Sequence, residues 1–344
     1  MGTNLKDVVK GKELEFSELE GKKLVVDSMN VIYQFLSSIR QQDGSLLTDS
    51  KGRPTSHLVG LFSRMIKLKK IGVLLAFVFD GKKPELKKKE VERRVELKKQ
   101  AQAEYEIAKE REDVAAMRKY AARTSLLTKE MIEESKELLD ALGFPIIQAP
   151  SEGEAQAAFM VKQGEFYAEV SQDYDCLMFG VPRLIQNLTL SERKKSKNKL
   201  SYEKIKPILV DLKETLSANK LTQDQLIVLG ILVGTDFNIG GIKGIGPQKG
   251  LKLVEKYGND FDSLFKEAKW EENFDFSWKD VFDTIKNMPV TKDYELKWKK
   301  IDRDRVIKIL VEEHEFSRER VERNIDEMED LETKGKQKGL GDFF

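Results

Sequence analysis

Residues 23–36 read KLVVDSMNVIYQFL, and this stretch joins a short apolar run to a helical pattern through a single acidic residue. The run KLVVD is typical of a strand that is apolar on both faces, as in a parallel sheet covered by helices. Apolar side chains then recur at helical spacing across residues 29–39. A strand that runs directly into a helix, with Asp27 at the junction, predicts an α/β fold.

The same alternation of strand and helix continues along the chain. Further strands are predicted at 73–80, 144–148, 167–171 and 183–188, and further helices at 56–70, 130–142, 152–163 and 222–233. We therefore predict a parallel central sheet flanked by helices. Residues 191–200 are polar and indicate a surface loop. Residues 259–330 have mixed helical and loop character and indicate little about function.

The composition of the 344 residues limits which classes of protein are possible. Apolar residues make up 40%, and 60 basic residues against 59 acidic ones leave a net charge of +1. Nucleic-acid-binding proteins are usually basic overall, so the net charge alone does not indicate one. The single cysteine excludes an intramolecular disulfide and fits a reducing compartment. Without a signal peptide or a run of membrane-spanning length, we expect an intracellular, cytoplasmic protein without membrane association.

One segment, residues 82–123, differs from the rest. It contains no glycine and no strand pattern, and residues 82–99 hold nine basic and four acidic side chains. Basic residues are thus concentrated here although the whole chain is nearly neutral. The pattern predicts one or two exposed helices that stand away from the core. A solvated charged helix face is the alternative interpretation.

Acidic residues occupy the positions that follow the predicted strands and one apolar helix. Seven of them come from five segments: Asp27, Asp80, Glu152, Glu154, Asp173, Asp175 and Asp236. Ligands of open α/β sheets bind outside the carboxyl ends of the strands, so we expect these side chains at one rim of the sheet. Each could also be an ordinary turn or helix cap. For Glu154 the specific alternative is a capping box with Ser151.

Seven carboxylates at one rim repel each other unless cations compensate their charge. Mg²⁺ and Mn²⁺ prefer oxygen ligands, whereas two histidines and one cysteine offer little to zinc. Two such ions roughly 4 Å apart can activate water and stabilise the leaving oxygen of an in-line phosphoryl displacement. The carboxylates therefore predict metal-dependent hydrolysis of phosphodiester bonds.

Longer motifs in a fixed order extend this interpretation. They are VVDSMNVIYQFL, TSHLVGLFSR, FVFDGKKPELKKKEVERR, QAPSEGEAQAA, SQDYDCLMFG and LVGTDFNIGGIKGIGP. Together they resemble the flap structure-specific endonuclease family, above all its archaeal branch, over about residues 1–260 and the last eight residues. The resemblance implies a PIN-like core with a helical arch and two Mg²⁺ ions, for which Mn²⁺ can substitute. It also implies 5′ flap cleavage and 5′–3′ exonuclease action on DNA, in Okazaki-fragment maturation and base-excision repair.

The resemblance assigns roles by motif position. Asp27, Asp80, Glu152 and Glu154 would serve the first metal ion, and Asp173, Asp175 and Asp236 the second. Lys87 and Arg94 would act in catalysis by stabilising charge on the scissile phosphate. Tyr33 would stack on an unpaired base, the alternative being a core aromatic beside Phe35 and Leu36.

The segment after LVGTD resembles the helix-two-turn-helix of the family, about residues 222–258, which grips the duplex backbone without reading its sequence. Glycines and a helix N-terminus allow close approach to phosphate. The expected DNA contacts are Lys243, Gly244, Gly246, Lys249 and Lys252, with a bound K⁺ nearby. Ile239 and Gln248 depart from the family pattern, the second where a basic residue is common. Arg40 and Arg64 lie in matching motifs and are expected to contact the substrate.

The chain ends in a recognisable pattern. Gln337, Leu340, Phe343 and Phe344 form Q-x-x-L-x-x-F-F in a segment from Thr333 onward that we predict to be a flexible tail. Exposed apolar side chains without a local core imply a partner. The pattern resembles the clamp-binding box, so we expect the sliding clamp (PCNA) as a partner besides branched DNA with a 5′ flap. We expect the protein to be a monomer.

The predicted organisation has four parts. Residues 1–98 and 116–258 form the two halves of the nuclease core, and the arch lies at about residues 82–128. Residues 259–332 form a helical region packed on the core, and residues 336–344 form the clamp-binding tail.

Other functions stay open at this point. A bubble-cutting repair nuclease and an RNA-directed PIN nuclease are the alternatives within the superfamily; the short arch and the C-terminal box argue against both. A catalytically silent junction-binding module is the alternative of another class, although such a protein has little reason to keep a destabilising acidic cluster. We interpret His57 as a packed structural residue rather than a general base, and Cys176 as a small buried apolar residue.

Overall fold

The computed structural model describes residues 3–121, 123–190, 193–195 and 202–341. Its strands are β1 (Gly11–Glu13), β2 (Lys23–Asp27), β3 (Leu74–Phe79), β4 (Ile146–Gln148), β5 (Ala168–Val170), β6 (Arg183–Gln186), β7 (Arg193–Lys195), β8 (Tyr202–Lys204) and β9 (Ile208–Asp211). Seven of them form one sheet in the order β1-β9-β6-β5-β2-β3-β4. From β6 to β4 the neighbours are parallel, whereas β9 and β1 are antiparallel additions at one edge.

The five predicted strands are all present, and the α/β fold is confirmed. The prediction of a parallel sheet is incomplete, because β1 and β9 make the sheet mixed. The predicted surface loop at 191–200 is wrong for residues 193–195, which form β7 and pair with β8 in an antiparallel ribbon.

Helices pack on both faces of this sheet. They are α1 (Ser28–Ser38), α2 (Ser56–Lys70), α3 (Lys88–Glu110), α4 (Val114–Ala121), α5 (Lys129–Ala141), α6 (Gly153–Lys162), α7 (Asp175–Met178), α8 (Leu212–Asn219), α9 (Gln223–Val233), α10 (Pro247–Tyr257), α11 (Phe261–Glu267), α12 (Trp270–Asn273), α13 (Trp278–Lys286), α14 (Arg303–Ile307) and α15 (Arg318–Gly341). The predicted helices correspond to α1, α2, α5, α6 and α9. Among the described residues no helix is both long and apolar enough to cross a bilayer.

Two apolar layers sandwich the sheet, as the two-sided strand patterns require. Neighbouring residues of a strand point to opposite faces, so Val25 packs in one layer and Val26 in the other. The helix α6 lies on the Val25 face, and α1 with α2 lies on the Val26 face. Because β2, β3 and β5 run in the same direction, their carboxyl ends meet at one rim.

The charged segment forms the arch helices α3 and α4, which pack against each other. The turn between them contains Glu112 with a φ of 52°. Ala101, Ala108 and Met117 are buried, while the remaining side chains of the two helices are mostly exposed. The helical prediction for this segment is confirmed, and the arch stands between β3 and α5 in the chain.

The C-terminal region packs on the core. Phe265 and Trp278 stack with ring centroids 4.6 Å apart, and Trp298 donates its indole N–H to the carbonyl of Leu75 in β3 at 2.7 Å. The helix α15 runs to Gly341. The predicted flexible tail is therefore wrong for residues 333–341, where the backbone stays helical.

Candidate active site

Two acids at the ends of neighbouring strands define the centre of the rim. Asp27 accepts a hydrogen bond from the backbone N–H of Asn30 at 3.2 Å, so it does cap α1. Its other oxygen lies 3.4 Å from the Ser171 hydroxyl. Asp80 accepts from the backbone N–H of Gly153 at 2.8 Å. A Cβ atom at Gly153 would lie 2.8 Å from that same carboxylate oxygen, so the approach requires glycine.

Glu152 and Glu154 lie at the start of α6. Glu152 is the N-cap residue, and its side chain forms no capping bond to any described residue. Ser151 instead donates its hydroxyl to the carbonyl of Lys82 at 3.0 Å. The alternative of a capping box between Ser151 and Glu154 is therefore wrong, and the Glu154 carboxylate is not engaged at the helix end.

The remaining acids come from the loop after β5 and from the end of α9. The Asn30 amide donates to Asp173 at 2.9 Å, and the backbone N–H of Thr3 donates to Asp175 at 2.6 Å. Asp236 follows α9 and faces the base of the arch, where two cations contact it. Segments from residue 3 to residue 236 thus meet at one place.

The proximity of the carboxylates is visible in their pKa values. Burial, with the charges of Asp80 and Asp173, raises the pKa of Asp27 to about 7. Burial likewise raises the pKa of Asp175 to about 6, and Asp236 and Asp173 add to the effect. Like charges this close disfavour ionisation of one another.

The two glutamates behave in the same way. Burial, then the charge of Asp175, raises the pKa of Glu154 well above its ordinary value. Burial, together with Asp80, raises the pKa of Glu152, although Lys87 opposes the change. The structure therefore brings all seven predicted carboxylates into one electrostatic group.

Lys87 enters this group from the base of the arch. Its ammonium lies 2.5 Å from Glu152 and 3.2 Å from Asp236. Burial by itself would lower the pKa of Lys87, but the charges of Glu152 and Asp236 outweigh it and raise that pKa. Lys87 is therefore a fully charged ammonium held over the carboxylates.

Arg94 joins the group about two helical turns further along. Its Nη2 donates to Asp236 at 2.6 Å, and its Nε donates to Glu90 at 2.6 Å. Glu90 is buried and also accepts two hydrogen bonds from Arg93. Glu90 thus fixes the guanidinium of Arg94 so that one edge of the fork points into the site. The alternative of a purely solvated helix face does not hold for Lys87 and Arg94.

The donor set fits a hard divalent cation. Each of the seven acidic side chains offers carboxylate oxygen, which Mg²⁺ and Mn²⁺ prefer. A bound cation would relieve the repulsion that raises the pKa values. In the described part of the chain, no three His, Cys, Asp or Glu side chains already surround a common point as metal ligands.

Tyr33 lies at the mouth of the site. Its side chain is on α1 and is 38% exposed, so it is not the core aromatic of the alternative interpretation. The Lys98 ammonium of the arch lies 5.0 Å from the centroid of its ring. Burial, with Asp80 adding to the effect, raises the pKa of Tyr33. The ring thus lies close to the carboxylates and remains accessible.

The predicted helix-two-turn-helix is formed by α9, a glycine-rich loop and α10. Gly240, Gly241 and Gly244 have φ values of 78°, 61° and 79°, which favour glycine. A Cβ atom at Gly244 or at Gly246 would meet no described atom within 4 Å, so both positions face open space. Lys243, Lys249 and Lys252 are exposed on the same loop and helix, so all five predicted contact residues are accessible.

The two arginines that are expected to contact the substrate are surrounded in part by other residues of the protein. Arg40 donates to the carbonyl of Gly44 at 2.6 Å and to the Ser125 hydroxyl at 2.5 Å, so it ties the loop after α1 to the base of the arch. Arg64 is half-buried on α2. Contact of either with substrate stays a prediction.

The histidine and cysteine interpretations agree with the structure. His57 is fully buried, and its Nε2 lies 3.0 Å from Glu134 on α5, away from the carboxylate group. His314 approaches the same carboxylate at 3.5 Å. Cys176 is fully buried, and burial raises the pKa of its thiol well above the ordinary value.

Three residues of the site were missed by the sequence analysis. Asn30 and Thr3 position aspartates through hydrogen bonds, and Glu90 positions Arg94. Glu90 could have been found, because glutamate four residues before arginine is a favourable helical pair. The contacts of Asn30 and Thr3 span 143 and 172 positions, and no local pattern signals them.

The residues predicted to bind the sliding clamp lie at the end of the chain. Gln337 and Leu340 lie within α15, in its last part, whose side chains are outside the described set. Phe343 and Phe344 lie outside the described residues.

The mixed sheet, the helical arch and the carboxylate rim define a nuclease of the XPG type. Residues 3–101 match the XPG N-terminal domain, and residues 143–236 match the XPG I-region. The chain is 46% identical to flap endonuclease 1 of Pyrococcus abyssi and 47% identical to that of Pyrococcus horikoshii, over 100% of this chain and 98% of each relative. The chain belongs to the flap endonuclease 1 family, and the resemblance seen in its motifs is confirmed.

Solved structures agree with this assignment. Flap endonuclease-1 from Methanococcus jannaschii superposes with a TM-score of 0.76 at 38% identity, covering 96% of this chain and 98% of that one. The catalytic core of Rad2 in complex with DNA substrate has a TM-score of 0.69 at 24% identity over 95% of this chain and 100% of that one, which shows a shared fold. The protein is therefore a nuclease that acts on DNA.

Proposed function

We propose that this flap endonuclease cuts 5′ flaps at their junction with duplex DNA and also removes nucleotides from 5′ ends, in Okazaki-fragment maturation and base-excision repair. The observation that carries the proposal is the convergence of seven carboxylates with two arch cations, Lys87 and Arg94, at one rim of the sheet. Acids hold divalent cations, and the arch cations face the place where a phosphate would lie.

The carboxylates would hold two Mg²⁺ ions, with Mn²⁺ as a substitute. Asp27, Asp80, Glu152 and Glu154 would serve one ion, and Asp173, Asp175 and Asp236 the other. Bound divalent cations would supply Lewis-acid polarisation of the phosphate and would lower the pKa of water. The all-oxygen donor set and the raised pKa values of Asp27 and Asp175 support this arrangement.

Lys87 and Arg94 act on the phosphate through their charge. Both now pair with Asp236, and a phosphodiester carries negative charge that can accept the same hydrogen bonds. The planar fork of Arg94 suits two phosphate oxygens, whereas Lys87 acts as a point charge. Because Glu90 already holds Nε of Arg94, little reorganisation is needed when charge develops in the transition state.

The substrate is positioned by surfaces on either side of the rim. Tyr33 offers an accessible ring for stacking at the unpaired end. The exposed loop that carries Gly244, Gly246 and Lys243 offers backbone and ammonium groups to the phosphates of the duplex. Such contacts fix the register without reading sequence. We also propose that a K⁺ ion binds at this loop.

The sequence supports the remaining elements of the proposal. The terminal pattern of Gln337, Leu340, Phe343 and Phe344 supports stimulation by the sliding clamp (PCNA). A monomer suits a site built from one chain, and an intracellular, cytoplasmic location suits the single cysteine and the DNA substrate.

A cleavage assay tests the function. The protein is incubated in Mg²⁺ with a 5′-labelled double-flap duplex, a bubble duplex and a single-stranded RNA, beside an Asp175→Ala variant. We expect one cut near the base of the flap by the wild type, and binding without cutting by the variant. Binding without cutting by the wild type in both Mg²⁺ and Mn²⁺ would make the protein a junction-binding module. Preferred cutting of the bubble or the RNA would contradict the flap assignment.

A further inference from the structure

Glu169 lies in the middle of β5, between Ala168 and Val170. Its side chain is fully buried, and both carboxyl oxygens lack a hydrogen-bond partner among the described residues. Buried carboxyl groups ordinarily pair with a donor or a cation, and an exception requires an explanation. The seven rim carboxylates do not include this residue, because it lies within a strand rather than after one.

The register of the sheet places Glu169 directly below the site. It pairs with Val25 of β2 on one side and with Leu184 of β6 on the other. Because side chains alternate along a strand, Glu169 shares a face with Val25, and Asp27 lies on that same face two residues further on. The helix α6, which carries Glu154 at its start, covers this face.

At this distance the charges of these neighbours act on one another. Glu169 contributes to the repulsion that raises the pKa of Glu154, and Asp27 adds to the effect of burial in raising the pKa of Glu169. Its surroundings are otherwise apolar or weakly polar, with the Cys176 thiol nearby. Within the described chain, neither a hydrogen-bond donor nor a basic side chain reaches the Glu169 carboxyl group.

We propose that Glu169 is an eighth carboxylate of the metal centre, which faces the bound cations from beneath Asp27 and Glu154 and strengthens their binding. The proposal rests on the assignment of the rim as a metal centre under the proposed function. A divalent cation provides the positive partner that the protein does not, either in direct contact or through a water molecule. Removing a supporting group of a metal site typically weakens metal affinity about 10- to 100-fold.

A binding experiment tests this role without any cleavage. The full chain without DNA is titrated with Mn²⁺, and free Mn²⁺ is followed by its electron paramagnetic resonance signal. We expect Glu169→Gln to bind Mn²⁺ about 10-fold more weakly than the wild type, or weaker still. Cys176→Ala is the matched control, because it disturbs packing at the same buried place and removes no carboxylate. It should bind Mn²⁺ like the wild type.

Each other outcome has a defined meaning. Equal Mn²⁺ affinity of Glu169→Gln and the wild type would overturn the proposal. An equal loss of Mn²⁺ affinity in Glu169→Gln and Cys176→Ala would also overturn it, because it would reveal a packing effect. If circular dichroism shows that Glu169→Gln does not fold, Glu169→Met is used in its place. An apolar residue of similar volume suits the buried position. Failure of the wild type itself to bind Mn²⁺ or to cut the flap would refute the proposed function instead.

Discussion

Arg94 donates a hydrogen bond from Nη2 to the carboxylate of Asp236 at 2.6 Å, although 142 positions separate the two residues in the chain. The contact joins the arch to the end of α9 and places a fixed positive charge over the rim. Glu90 holds the opposite edge of the same guanidinium. The arch is therefore connected to the site through charge.

Removal of the Arg94 guanidinium should slow cleavage without preventing folding. We expect Arg94→Ala to reduce the single-turnover cleavage rate about 10²- to 10³-fold, as for other preorganised donors to a developing negative charge. Arg93→Ala is the matched control, because Arg93 binds the same Glu90, whereas the ion pairs of Asp236 in the described part of the chain are with Arg94 and Lys87. An equal loss in both variants would show that the arch as a whole, rather than Arg94, matters.

Glu90 should act only through Arg94. We expect Glu90→Gln to lower kcat about 10-fold while leaving KM nearly unchanged, because a guanidinium that is no longer fixed is poorly placed. The double variant of Glu90→Gln and Arg94→Ala should be no slower than Arg94→Ala alone, since both changes remove the same interaction. Additive losses in this cycle would assign Glu90 an independent role, such as holding the arch helix in place.

Tyr33 should contribute to substrate binding through its ring. We expect Tyr33→Ala to weaken binding of the flap duplex by about 1–3 kcal/mol, and Tyr33→Phe to bind like the wild type, because stacking needs the ring and not the hydroxyl. Fluorescence anisotropy in EDTA measures binding without cleavage. A loss in Tyr33→Phe as large as in Tyr33→Ala would indicate a hydrogen bond from the hydroxyl instead.

The lysines of the helix-two-turn-helix should contribute through phosphate contacts. Neutralising Lys243 or Lys249 should weaken duplex binding for every sequence and reduce the slope of log affinity against log salt concentration by about 1 for each residue. Lys213→Ala on α8 is the control, because it removes the same charge from an exposed position outside this loop. A slope unchanged in Lys243→Ala and Lys249→Ala would remove this loop from the duplex-binding surface.

The Glu134 carboxylate should make stability depend on pH. Burial would raise its pKa, but hydrogen bonds from His314 and His57 outweigh burial and lower the pKa to about 2 from an ordinary 4.5. A lowered folded-state pKa means that the stabilisation is complete above about pH 4.5 and is lost as the pH falls toward 2. Urea unfolding should therefore give a higher free energy of unfolding for the wild type than for Glu134→Gln near neutral pH. This difference should become smaller at pH 3. A difference independent of pH would contradict this origin.

The elements that could be predicted from sequence share a strong local signal. The strand ending at Asp27 and the helix after it are visible because a two-sided apolar run meets a helical repeat. The strand β1, with the sequence GKE, has no apolar residue and exists only because β9 lies beside it. No local pattern predicts such an edge strand, since its pairing is supplied by the tertiary structure.

The site was predictable where acids follow strands and unpredictable where contacts are long-range. The rim positions of Asp80 and Asp173 follow from the strand pattern alone. The role of Asn30 depends on the loop after β5 lying next to α1, and Glu169 is a strand residue whose surroundings only the sheet register reveals. The flexible tail was wrongly predicted because its glycines were given more weight than its lysines and its glutamine, which are good helix formers and extend α15.

The arrangement of the carboxylates also has a consequence for the synthesis of the protein. Asp27 is made early during synthesis, but Asp236 follows it by 209 positions (236 minus 27). A ribosome must therefore complete two thirds of the chain before the rim can be assembled. Nascent chains that stop before α9 contain the arch segment yet lack the last acid, so the group of carboxylates that we propose to bind metal ions is incomplete in them.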